Sequence, residues 1–126
     1  MKFVKLLRDP CGASAVEFAL TAPVFFLFVF GVIEVGLLFW TQIGLQHGAE
    51  MAARCASINA SLCPNGNASA ITGYATQQAL GLSLPASAFT HSTPACGNQV
   101  NGSYSFQFHG IPLDPLTLTA QACYPN

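Results

Sequence analysis

From Phe18 to Trp40 the chain reads FALTAPVFFLFVFGVIEVGLLFW, 23 residues in which Glu34 is the only ionisable group. A helix needs about 20 predominantly apolar residues to cross the hydrocarbon core of a bilayer. The apolar core of a cleavable secretory signal is about 7–15 residues, so this run is too long for one. It predicts a membrane-spanning helix. Pro23 removes one backbone donor early in the span and is expected to cost or bend the helix locally. Past Trp40 the pattern turns amphipathic without a break. Gln42, Gln46, Glu50, Arg54 and Ser57 recur near helical spacing as a polar stripe, with Glu50 and Arg54 in the favourable i,i+4 order for an ion pair. Gly44, Gly48, Ala52 and Ala56 form a second stripe of small residues, which lets another helix approach closely. That stripe fits a helix lying on its own domain as well as it fits a seam between subunits. With Asn59 as end point, one long helix is predicted over residues 14–58.

Beyond residue 58 the pattern changes. SLCPNGN is loop chemistry, with Pro64 and Asn65-Gly66 as turn residues. Asn67 or Ser69 can cap a short helix running to about Leu80, with Ile71, Ala75 and Ala79 on one side and Gly81 and Pro85 ending it. AFTHSTP reads as a strand. Val100, Gly102, Tyr104, Phe106 and Phe108 then alternate with polar residues, the period of a half-buried strand. Asn101-Gly102 offers a hairpin turn instead, but the unbroken alternation favours a continuous strand. Leu116, Leu118, Ala120 and Ala122 alternate again. The predicted fold class is α+β: a long N-terminal transmembrane helix continuing into a small disulfide-stapled extracytoplasmic domain with one helix and a short antiparallel sheet. So few elements make a small core, and the helix end near residues 45–58 is expected to pack on it.

Charge orients this layout. Only 7% of the 126 residues are charged and the net charge is −1, which leaves no electrostatic footprint for nucleic acid. Eight of the nine charges fall in the first 54 residues, and Asp114 is the ninth. Lys2, Lys5 and Arg8 precede the span, while the next basic residue after it is Arg54. The positive-inside rule therefore places the N-terminus in the cytoplasm and residues 41–126 outside. Trp40 falls where an aromatic anchor at the outer interface belongs.

Four cysteines lie on the outer side, Cys55, Cys63, Cys96 and Cys123. An even count on a small loop-rich domain in an oxidising compartment reads as two disulfides. Three pairings are open, and Cys55–Cys63 with Cys96–Cys123 is favoured, tying the helix end to its loop and the sheet to the terminus. Zinc ligation with His47, His91 or His109 lacks any C-x-x-C spacing, and no cofactor is expected. Cys11 precedes the span and would face the cytoplasm. There is no G-x-S-x-G motif, and Asp114 is the only carboxylate past Glu50, so an enzyme is not expected. Asn59, Asn67 and Asn101 begin Asn-x-Ser triplets and read as solvated surface.

Two acids sit on the apolar run, Glu17 opening it and Glu34 inside it. A carboxylate in lipid costs several kcal/mol unless it snorkels or pairs, which makes each a functional hypothesis. Glu34 is only about two turns from the outer end, so a partly solvated carboxylate is the simple alternative there, and Glu17 could snorkel inward. In CGASAVEFAL, Gly12 stands five residues before Glu17, after a basic leader and before the span. This arrangement resembles a type IV prepilin signal. The longer run RDPCGASAVEFALTAPVFFLFVFGVIEVGLLFWTQIGLQHGAEMAARCA, with Arg8, Gly12, Glu17, Pro23, Gly31-Glu34-Gly36 and Ala53-Arg54, resembles the TadE-like (TadE/TadF) pseudopilins of tight-adherence, Flp-type pilus systems. The resemblance covers about the first 58 residues.

The resemblance implies cleavage between Gly12 and Ala13 by a prepilin peptidase, leaving Glu17 as the fifth mature residue. Glu17 would pair with the free N-terminal amine of a neighbouring subunit, and Glu34 would be a second assembly residue. Residues 1–12 would be the leader, 13–58 the long helix with its span at about 18–40, and 59–126 the extracytoplasmic domain. The expected role is that of a minor pilin or pseudopilin anchored in the bacterial inner membrane. Its partners would be membrane lipid, other pilin subunits and the inner-membrane pilus machinery. The competing class is a single-pass anchored binding module that stays out of pili.

Overall fold

The computed structural model describes residues 10–110 and 112–126, with side chains from Ser14 onward. Lys2, Lys5 and Arg8 lie outside the described residues; of Cys11, Gly12 and Ala13 only the helical backbone is described. Helix α1 runs from Pro10 to Ile58, 49 residues, and passes through Pro23 without interruption. It begins four residues before the expected start and ends on the expected residue. There the Asn59 amide reaches back to the Cys55 carbonyl at 2.9 Å and the chain turns away.

Short elements follow. Helix α2 spans Ala68–Gln77, and its cap is Asn67, whose side chain accepts from the Ala70 amide. It stops before the expected Leu80 because Leu80 and Gly81 adopt positive φ, 54° and 77°, a left-handed turn that an α-helix cannot continue through. Strands β1 (Phe89–Ser92), β2 (Asn98–Phe106) and β3 (Leu116–Tyr124) form an antiparallel sheet in that order. β1 is shorter than AFTHSTP because Ala88 closes a 3-10 turn and Pro94 accepts from the Gly97 amide in a tight connection. β2 is continuous through Asn101-Gly102, which rejects the hairpin alternative. It ends at Phe106, and Phe108 instead lays its ring edge-on against Phe106, centroids 5.2 Å apart.

The core lies between the C-terminal half of α1, the α2 helix and one face of the sheet. Leu45 is its centre, fully buried with Ile71 and Val100. A Cβ at Gly102 would come within 3.0 Å of the Leu45 side chain, so the glycine in mid-strand makes the seat for that leucine. The small-residue stripe serves the same core. A Cβ on Gly48 would lie 2.7 Å from the Ala75 carbonyl oxygen, and one on Gly44 would strike Leu82. Of the two readings left open for this stripe, packing against the chain's own domain is the one found over Gly44–Ala56.

The polar stripe faces β3. This strand pairs only with β2, so one of its edges has no strand partner. Gln42 Nε2 donates to the Thr119 carbonyl at 2.9 Å, Gln46 Nε2 to that of Gln121 at 3.3 Å, and Ser57 Oγ to that of Tyr124 at 3.2 Å. Four helical residues advance about 6 Å and two strand residues about 6.6 Å, so glutamines at i and i+4 stay in step with alternate strand carbonyls. Glu50 takes a bond from Gln46 at 2.8 Å, and the expected ion pair with Arg54 is not formed among the described residues.

Cys55–Cys63 and Cys96–Cys123 are at disulfide distance, with Cα separations of 5.7 Å and 6.4 Å. The first ties the end of α1 to the following loop. The second ties the β1–β2 connection to β3.

Candidate functional site

The first candidate is the bare part of α1. Between Ser14 and Ile33 no residue is buried, and Phe18, Leu20, Leu27 and Phe28 are each at least 70% exposed. At about 25 cal/mol per Å² of apolar surface, such a helix is untenable in water and calls for lipid or neighbouring helices. The helix Ser14–Ile58 that contains it is long and apolar enough to cross a membrane. Glu17 stands exposed on it, and its backbone carbonyl accepts from Thr21 Oγ1 at 3.0 Å. Among the described residues no hydrogen bond or ion pair to the Glu17 carboxyl group is formed.

The second candidate is Glu34, and here the structure corrects the simple expectation of a partly solvated acid. Glu34 is only 7% exposed. Its Oε1 accepts two backbone N–H bonds, from His109 and Gly110, each 3.1 Å. These donors belong to the β2–β3 connection, which the register of β3 along α1 carries back toward the apolar run. Oε2 is buried with no hydrogen-bond partner among the described residues. Glu17 and Glu34 are therefore differently placed: the first is open to a neighbour, the second is engaged by its own domain.

A polar junction missed in the sequence lies at the opposite end of the domain. Asn98 is fully buried. Its Nδ2 donates to Ser57 Oγ at 3.0 Å and to Asn126 Oδ1 at 2.6 Å, and its Oδ1 accepts from His91 Nε2 at 3.0 Å. One side chain thus joins the end of α1, strand β1 and the C-terminus. Its only sequence signal was a polar residue at an inward position of the β2 alternation. His47 is also engaged structurally, its Nδ1 donating to the Gln78 carbonyl at 2.8 Å at the end of α2. A cleft of about 480 Å³ lies between Thr41, Leu84 and Tyr104. Among the described residues no group of three or more His, Cys, Asp or Glu is placed to hold a metal.

The structure thus defines a chain with one candidate membrane-spanning helix that carries a small cystine-bearing α+β domain. Residues 12–54 match the family described as TadE-like protein, the family that the sequence motifs resemble. The match takes in Gly12, Glu17, Glu34 and the helix to Arg54, and the domain beyond lies outside it. No curated protein and no solved structure matches the chain. Over that stretch the chain is similar to a family associated with the Tad pilus, and the helix that carries the match is long and apolar enough to cross a membrane.

Proposed function

We propose that this protein is a minor pilin or pseudopilin, anchored in the inner membrane with its domain in the periplasm, that acts in assembly of a tight-adherence pilus. The observation that carries this reading is the coincidence of the family match with the bare helix. The matched stretch contains the twenty residues Ser14–Ile33 that the protein's own domain leaves uncovered. A helix with no buried residue over this stretch can exchange lipid for neighbouring helices as subunits gather.

In this reading a prepilin peptidase cuts after Gly12. Glycine, lacking a Cβ, lets the backbone enter a peptidase site in extended form. Ala13 then carries a free amine, and the Glu17 carboxyl group of a neighbour accepts it inside a helix bundle, where low dielectric strengthens the pair. The domain, braced by Gln42 and Gln46 on β3 and by the two cystines, would move as one piece with the upper half of α1.

N-terminal sequencing of the membrane fraction from cells with the cognate peptidase tests the reading. Chains starting at Ala13 support it. Recovery of full-length chains alone would leave a plain anchor.

A further inference from the structure

We propose that the membrane-facing side of the domain is seated in the adjoining lipid leaflet, with the β2–β3 connection reaching the headgroup and carbonyl layer. The proposal rests on the reading of α1 as a spanning helix.

Length carries the argument. From Phe18, where the apolar run opens after Glu17, to Ile33 the helix is about 24 Å long at ~1.5 Å per residue, short of the ~30 Å hydrocarbon core. An untilted helix starting its span at Phe18 needs about 20 residues and so leaves the core near Leu37. Glu34, whose Oε1 holds the amides of His109 and Gly110, lies below that level. It is only about 4.5 Å below Leu37 at ~1.5 Å per residue, so the connection bonded to it lies at the carbonyl boundary of the core. The strand register agrees. Leu116 stands three residues before Thr119, about 10 Å further down at ~3.3 Å per residue, and Thr119 is level with Gln42 through its hydrogen bond.

Chemistry fits the depth. Leu113 and Leu116, 57% and 46% exposed, are apolar side chains that the domain does not cover. Pro112 and Pro115 flank Leu113 and Asp114, and neither brings an N–H that lipid would leave unpaired. Asp114 is exposed beside them, and its charge holds the segment at the headgroups rather than deeper. On the other flank Phe39, Trp40 and Ile43 line an open apolar groove with Leu80 from the turn after α2. The exposed apolar face of α1 thus ends at Ile43, about 37 Å above Phe18 at ~1.5 Å per residue. Counted from the inner edge of the ~30 Å core, the outer headgroup layer ends at about 35–37 Å, so Ile43 stands at its outer edge. Lipid is the occupant that continues the span without a break.

Trp40 is the only tryptophan, which makes the test direct. The full chain is reconstituted in phosphatidylethanolamine/phosphatidylglycerol vesicles with and without lipid spin-labelled near the carbonyl. Emission is compared for the native protein and for Leu113→Trp in a Trp40→Phe background. Leu80→Trp in the same background reports the other flank, and disulfide mapping confirms the fold of each. Loss of most emission from both reporters on adding spin-labelled lipid, with little quenching by aqueous iodide, is the expected result. Reporters quenched by iodide alone while native Trp40 is quenched by lipid would overturn the seating and leave the span intact. If lipid quenches none of the three, the span itself fails and the seating with it. Protection from both quenchers that disappears on diluting protein in lipid would assign the surface to a second copy, and also overturn the proposal.

Discussion

Replacing Glu34 by alanine should free the β2–β3 connection from the helix. The substitution orphans the amides of His109 and Gly110, both bonded to Oε1 at 3.1 Å. Leaving a part-buried donor unsatisfied costs up to about 1–3 kcal/mol. Part of that is returned, because Oε2 is itself buried without a hydrogen-bond partner among the described residues and its removal relieves a desolvation cost of similar kind. A net local destabilisation of about 2 kcal/mol follows, or roughly 30-fold in the opening equilibrium. Glu34→Gln retains an acceptor and should fall between the native protein and Glu34→Ala. Hydrogen–deuterium exchange in nanodiscs reads this out at the two amides, with the β2–β3 ladder as an internal control. The Gly110 and His109 amides should exchange roughly 30-fold faster while Val100 and Ala120 keep their protection. Unchanged exchange at both amides in a folded Glu34→Ala protein would mean that the contact contributes nothing and that the connection is held by other means.

Gly48→Ala places a Cβ 2.7 Å from the Ala75 carbonyl oxygen and 3.1 Å from the Phe89 ring, so it should lower the domain's stability by about 1–3 kcal/mol; chemical denaturation followed by circular dichroism measures it. Asn98→Ala leaves Ser57, His91 and Asn126 without their shared partner and should cost about 1–3 kcal/mol, with the C-terminal residues the first to be cleaved in limited proteolysis. Non-reducing peptide mapping should return Cys55–Cys63 and Cys96–Cys123, and loss of either bridge should cost about 2–4 kcal/mol; a Cys55–Cys123 peptide would contradict the fold of the domain.

Features set by local pattern were legible in the sequence. The apolar run at Phe18–Trp40, the alternation through Val100–Phe106 and that through Leu118–Ala122 each announce an element by its own period. The pairings Cys55–Cys63 and Cys96–Cys123 followed once helix end and strands were placed in order. What escaped depends on depth and register between distant segments. Glu34 meets amides 75 and 76 positions away, and nothing local to VIEVG says that a hairpin tip will descend to it. The same holds for Gly102, whose place in the strand alternation does not reveal that Leu45 will sit against it. Phe108 continues the alternation on paper, yet stacking on Phe106 releases it from the ladder. The small stripe Gly44–Ala56 permits close approach of a partner but carries no information on which partner; α2 takes that place here.

Glu17 separates an assembly subunit from an anchor most directly. The measurement is complementation of surface pili by Glu17→Leu, with protein level and membrane insertion checked alongside. An anchor should tolerate the leucine, since losing a charged group at the edge of the span relieves a cost of insertion. A pilin-like subunit should insert and fold, because Glu17 is exposed rather than packed in the domain, yet fail to support pili for want of a partner for the neighbouring amine. Stable, inserted Glu17→Leu protein with few or no surface pili is the predicted result; normal pili from that variant would contradict the assembly mechanism.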